Sequence, residues 1–149
     1  MGIAYRCDKT LGLSVSVWDG EIGVDDRRDH VAALSADSDW GSTGLLLTDL
    51  TGVSKRPSAK EVLEAAAEFA EKLAEQVRNA KWAMVANETF VLAQRFGTYL
   101  EEEVRRLIVF NDLDTACTWL GVDAKQARVV IEELRGELRL QELLRKPPT

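Results

Sequence analysis

The chain has 149 residues, 25 acidic against 19 basic side chains, a formal charge of −6 and 46% hydrophobic residues. A chain of that length buries roughly 70% of its unfolded surface in a single domain and needs neither disulfides nor a structural metal to fold. The acidic balance excludes non-specific nucleic-acid binding, which runs on a surplus of Lys and Arg, and no apolar run approaches the ~18 residues of a membrane span. No basic segment followed by an apolar one marks a secretory leader, and Arg6 stands where a myristoylation signal needs Ser or Thr. The expectation is an acidic, globular, cytoplasmic protein.

Ile3–Cys7 and Leu13–Trp18 read as two strands of an antiparallel hairpin, joined by the turn Asp8–Gly12. The second strand alternates: Leu13, Val15 and Val17 share one side, Ser14 and Ser16 the other. Asp25-Asp26 open a short helix over about 26–35, with Val31 and Leu34 toward a core. The polar stretch Ser35–Thr43 around Trp40 is a loop. Gly44–Leu50 is a strand whose apolar run is continuous, as in strands covered on both faces. The loop Thr51–Pro57 follows, and Ser58 opens the clearest helix, with the stripe Val62, Leu63, Ala66, Phe69, Ala70, Leu73, Ala74 and Val77. Ser58 and Glu61 have capping-box spacing.

The pattern repeats: a strand over Trp82–Ala86, a helix over about 88–102 with Phe90, Ala93, Phe96 and Leu100 inward, and a strand over Leu107–Phe110. Asn111-Asp112 cap a helix carrying Leu113, Ala116, Trp119 and Leu120, stopped by Gly121. The fold class is therefore α/β: a mainly parallel sheet entered by an N-terminal β-hairpin, with helices packed on it through right-handed crossovers. Residues 1–122 form this domain. Residues 123–149 form an extra C-terminal amphipathic helix and tail, ended by Pro147-Pro148. That helix has the stripe Ala127, Val130, Ile131, Leu134 and Leu138, while Val129, Leu140 and Leu143 project from roughly the opposite side at about 100° per residue. Two apolar sides predict two neighbours, the second being another copy of the chain in a homodimer.

No enzymatic kit is present. The single histidine, His30, cannot form a two-His metal site and has no Gly-x-Ser-x-Gly partner; it reads as a partly exposed helical residue. Cys7 and Cys117 lie far apart, outside any Cys-x-x-Cys pair, and read as buried structural thiols. Neither a dinucleotide fingerprint nor a P-loop occurs, and the paired carboxylates sit at helix starts or on solvated faces. No cofactor and no metal are expected. Chemistry concentrates instead in the loop after the central strand. It lies at the strand's carboxyl end, where open α/β sheets place their working surface. It offers Thr51, Ser54 and Ser58 hydroxyls beside Lys55 and Arg56. At a helix N-terminus, Ser58 is either a simple N-cap or a phosphoacceptor, since free N–H groups and the helix dipole favour an added anion there.

The order of elements resembles the STAS superfamily, shared by anti-sigma factor antagonists and sulfate transporter tails. Val15–Asp26 resembles its strand–Gly–helix opening, Leu45–Ser58 its central strand and switch loop, and Val109–Gly121 the closing segment of a bacterial STAS-like subgroup of mostly unassigned role. The resemblance spans about residues 3–121. It implies a non-enzymatic regulatory module that docks a protein partner, such as an anti-sigma-type kinase or regulator. Asp49, Thr51, Ser54, Lys55 and Arg56 would form the partner-binding loop, and Ser58 matches the family's switch serine by position. Its neighbours differ: Pro57 stands where Asp is expected, and Ala59-Lys60 replace Ser-Gly. The alternative function is binding of a small apolar, lipid-like ligand in a pocket lined by Trp18, Trp40, Trp82, Phe90, Phe96 and Trp119.

Overall fold

A computed structural model describes residues 2–145. Five strands, β1 (Gly2–Asp8), β2 (Leu13–Gly20), β3 (Leu45–Val53), β4 (Lys81–Val85) and β5 (Arg106–Phe110), lie side by side in chain order. β1 and β2 form the antiparallel hairpin, and every later pairing is parallel. The helices are α1 (Val24–Ala36), α2 (Ala59–Val77), α3 (Phe90–Tyr99), α4 (Leu113–Leu120) and α5 (Ala124–Arg145). The expected α/β architecture, with its extra C-terminal helix, is the one observed. Pro147-Pro148, expected to end that helix, lie outside the described residues.

Strands laid down in sequence order by right-handed crossovers put all their connecting helices on one side of the sheet. Helices α1, α2 and α3 accordingly share one face, packed around Leu46, Trp82 and Met84. Helices α4 and α5 cover the other, around Leu13, Val15, Val17, Leu47, Ala83 and Val85. The stripe Ala127, Val130, Ile131, Leu134 and Leu138 of α5 is wholly buried in this second core, against β1 and β2.

Local chemistry sets the helix ends. Ser58 caps α2 as its spacing predicts: its Oγ accepts from the Glu61 N–H at 3.1 Å while Glu61 Oε1 accepts from the Ser58 N–H at 3.1 Å. Asp112 caps α4 by accepting from Thr115 N–H, and Gly121 ends it at φ +78°, a left-handed conformation that glycine adopts without strain. Three expectations are corrected. β3 continues three residues past Leu50, because β2 also runs on: Asp19 pairs with Gly52 and Gly20 with Val53, across a bulge that gives β3 one extra residue. α3 is shorter than the span 88–102, beginning at Phe90 and giving way to turns after Tyr99. Leu63 is exposed, since it sits about a quarter turn from the line through Val62, Ala66, Phe69, Leu73 and Val77.

Candidate functional site

The carboxyl ends of β2, β3 and β4 lead into three βα connections: Glu21–Gly23, Ser54–Ser58 and Ala86–Thr89. This edge carries both the predicted loop and a feature the sequence reading did not resolve.

The loop comes first. Ser54, Lys55, Arg56 and Ser58 are all exposed. Lys55 Nζ lies 3.4 Å from Glu21 Oε1, joining this loop to the one after β2. Glu61 is held below the usual carboxylate range, first by the Ser58 backbone N–H and then by the Ser58 hydroxyl. The serine and the glutamate thus form one reciprocal polar unit at the mouth of α2.

Asp49 and Thr51, expected in the same surface, are placed elsewhere. Asp49 lies within β3, only 5% exposed. Its Oδ1 accepts from the Thr51 N–H at 2.8 Å and the Thr51 hydroxyl at 2.6 Å, and its Oδ2 accepts from Arg135 of α5 at 2.8 Å. Arg135 also donates to Thr51 Oγ1 and to Glu132. These two residues clamp the C-terminal helix to the end of β3 on the face opposite α1–α3. Val129, Leu140 and Leu143 are exposed on the outer side of α5, joined there by Leu144, which the sequence reading omitted.

Beneath the loop, between the sheet and α1–α3, is a cavity of about 290 Å³. Its surroundings include exposed residues of both loops, Glu21 and Gly23 on one side and Lys55 and Arg56 on the other. Aromatic rings of Trp18, Trp40, Phe69, Trp82 and Phe96 form its walls. Phe69, Trp82 and Phe96 meet one another with ring centroids 5.5–5.9 Å apart. Of the six aromatics expected around a pocket, Trp18, Trp40, Trp82 and Phe96 take part. Phe90 packs against the same core without bordering the cavity, and Trp119 lies on the opposite face beside Phe110.

Polar groups break this apolar wall. Ser14, Ser16 and Thr48 point from β2 and β3 to the α1–α3 side and are buried. Thr48 Oγ1 accepts from the Trp82 indole at 3.0 Å, and Ser14 shares a bond with Thr43. Helix α1 buries Arg27, His30, Val31 and Leu34, a helical stripe in which two of the four positions are polar. His30 is therefore not the partly exposed residue expected. It is buried edge-on against Tyr5 and Trp18, and burial pushes its pKa down to about 4. Arg27 donates to Glu68 at 2.8 Å and to the Glu61 carbonyl at 3.4 Å, tying α1 to α2. The signals were present in the sequence: serines alternating with valines in a central strand, and Arg and His at core spacing beside Val31 and Leu34. Periodicity says which residues share a side, not whether that side is covered, so the serines could be placed only opposite the valines and His30 was expected to be partly exposed.

Cys117 is buried, and burial raises its thiol to about 11; Cys7 is only half-buried, where a fully buried thiol was expected. Among the described residues, no group of three or more His, Cys, Asp or Glu is arranged to hold a metal ion. Nor, among them, is any helix long and apolar enough to cross a membrane.

No protein-family model matches the chain, and no curated protein matches it. Among solved structures, an anti-sigma factor antagonist from Mycobacterium paratuberculosis superposes with a TM-score of 0.52 and 24% sequence identity, over 80% of this chain and 94% of that one. The likeness is one of fold: the expected α/β architecture is shared with that antagonist.

Proposed function

We propose that this protein is a non-enzymatic, cytoplasmic regulatory module that docks a protein partner through the loop Ser54–Ser58 and the adjoining face of α2, and that phosphorylation of Ser58 switches the contact. The observation that carries this reading is the exposed Ser58 hydroxyl at the N-terminus of a 19-residue helix, beside Lys55 and Arg56. The fold shared with an anti-sigma factor antagonist supports it. The chemistry is specific to this chain. A phosphate brings about −1.5 to −2 charges to the position where Glu61 already places its carboxylate. Both anions cannot keep the same N–H groups, so Glu61 leaves the cap, the phosphate accepts the free helix N–H groups, and the docking surface changes shape and sign. Ser58 phosphate should appear by mass spectrometry of protein purified from its host. Ser58→Asp and Ser58→Ala should capture different partners, an anti-sigma-type kinase or regulator among them. Unphosphorylated protein under every growth condition, or identical partner sets, removes the switch.

A second reading, the binding of a small ligand, is favoured by the aromatic cavity directly under this loop. A co-purified molecule seen by native mass spectrometry supports it. In either case the outer side of α5, with exposed Val129, Leu140 and Leu143, is the proposed homodimer contact. Leu140→Glu with Leu143→Glu in the full chain should halve the mass measured by light scattering, and an unchanged mass contradicts the dimer.

A further inference from the structure

The buried side-chain polar atoms that lack a partner among the described residues belong to residues gathered in one place. Among the described residues, three buried side-chain atoms make no hydrogen bond: Trp18 Nε1, Arg27 Nε and Thr89 Oγ1. They come from three different elements, the end of β2, the first half of α1 and the start of α3, and all three residues border the aromatic cavity. Buried donors are normally satisfied, and each orphan calls for an explanation. Thr89 is the clearest case. It occupies the N-cap position of α3, where a threonine hydroxyl ordinarily accepts a backbone N–H of the first turn, yet it makes no capping bond. Its oxygen is buried and uncommitted, on a residue that borders the cavity. Indole and guanidinium N–H groups can only donate, so two of the three orphans ask for an acceptor, and the hydroxyl can donate as well.

Charge narrows the choice. The Arg27 guanidinium is neutralised by Glu68 at 2.8 Å, and His30 is uncharged near neutrality because burial opposes its protonation. The buried donors therefore bring no unpaired positive charge, and the other cations of the lining, Lys55 and Arg56, stand exposed at the mouth rather than inside, so a buried anion would have no counter-ion at the depth of these donors. The five aromatic walls suit a flat, unsaturated body, and about 290 Å³ is the lower end of small-molecule pockets.

We infer that the cavity under the Ser54–Ser58 loop binds an uncharged, planar aromatic molecule bearing carbonyl-type acceptors, held by the Trp18 and Arg27 N–H groups and the Thr89 hydroxyl. This rests on the ligand-binding reading above and adds the chemistry of the ligand. It is independent of the phosphorylation of Ser58.

Three probes test it on the full chain, labelled with 15N and titrated by NMR: coumarin, an uncharged planar lactone; naphthalene, of similar shape without polar atoms; and 2-naphthoate, an anion. Coumarin should shift the Trp18 indole N–H resonance and bind at least about tenfold more tightly than either of the others, the scale expected when buried donors gain their partners. Trp18→Phe keeps an aromatic wall, removes the donor, identifies the resonance and should cut the preference for coumarin over naphthalene to under about threefold. Thr89→Val, the second variant, should lower the same preference without touching any indole. Naphthalene binding as tightly as coumarin overturns the acceptor chemistry while leaving ligand binding intact. Naphthoate binding most tightly overturns the neutral ligand. Binding of none of the three overturns both this inference and the ligand-binding reading.

Discussion

The two faces of the sheet are built from the same strands and packed in opposite ways. On the α4/α5 face, β2 contributes Leu13, Val15 and Val17, all without solvent contact, and α5 closes over them with Ile131 and Leu134. On the α1–α3 face, the same strand contributes Ser14, Ser16 and Trp18, and the helix opposite supplies Arg27 and His30. The first face is apolar apart from the Asp49–Arg135 pair that fastens α5 to β3. The second holds a cavity, a buried cation and three orphaned polar atoms. A core that forgoes packing and hydrogen bonding in one layer needs stability from another, and here one side of each central strand holds the fold together while the other encloses a cavity.

Truncation should separate the faces most sharply. Leu134→Ala on the filled side should cost about 3–4 kcal/mol in urea unfolding, since the lost side chain leaves a void in a close-packed layer. Ser16→Val on the open side adds volume where space exists and removes a buried hydroxyl, so its effect should stay within about 1 kcal/mol. Equal costs for the two would erase the contrast.

Acid should act through the open face. His30 has a folded-state pKa of about 4 against 6.5 for a free histidine, owing to burial. In that window the unfolded chain binds the proton and the folded chain does not, so stability is intact above about pH 6.5 and falls as pH drops toward 4. The loss from this residue is about 3 kcal/mol between pH 7 and pH 4. His30→Phe keeps a ring against Tyr5 and Trp18 and should flatten the difference between wild type and variant in unfolding at the two pH values. A wild-type profile no steeper than the variant's would mean that the histidine is solvated.

These contrasts also explain what the sequence made legible. The filled face was readable because its signal is apolar periodicity: Leu13, Val15 and Val17 at a spacing of two, and Ala127 to Leu138 at helical spacing. The loop was readable because Ser58 and Glu61 carry their own local chemistry. The open face was not, because Ser16, Arg27 and His30 have the residue types of solvated positions, and only the stacking of three helices on one side covers them. The Asp49–Arg135 clamp was equally hidden. Its partners are 86 residues apart, and nothing local in either segment announces the other.

The cap of α2 gives a smaller and more local test at the boundary of the open face. Ser58→Ala removes the hydroxyl that accepts from Glu61 N–H and should cost about 1 kcal/mol. Ser58→Asp supplies a carboxylate that can cap in its place, so its stability should stay close to wild type. That near-equality lets the Asp variant report on partner docking without a folding defect. A large loss for Ser58→Asp would show that Glu61 cannot give way to a second anion at the helix mouth.

The smallest expected effect lies behind the filled face, on the outer side of α5. Gly136 is exposed in the middle of this 22-residue helix, and a methyl group added there would meet nothing within 4 Å. Glycine inside a helix loses more backbone freedom on folding than alanine, so Gly136→Ala should raise stability by about 0.5–1 kcal/mol, read as a shift of the urea midpoint at unchanged slope. The position also lies seven residues from both Val129 and Leu143, on the same side of the helix as those apolar residues. If a second copy packs closely there, the methyl group enters the contact and the gain shrinks or reverses at high protein concentration while persisting at low concentration. A gain that is the same at every concentration would mean that the helix backbone at this point faces water, and would confine any self-association to the leucines of its last turns.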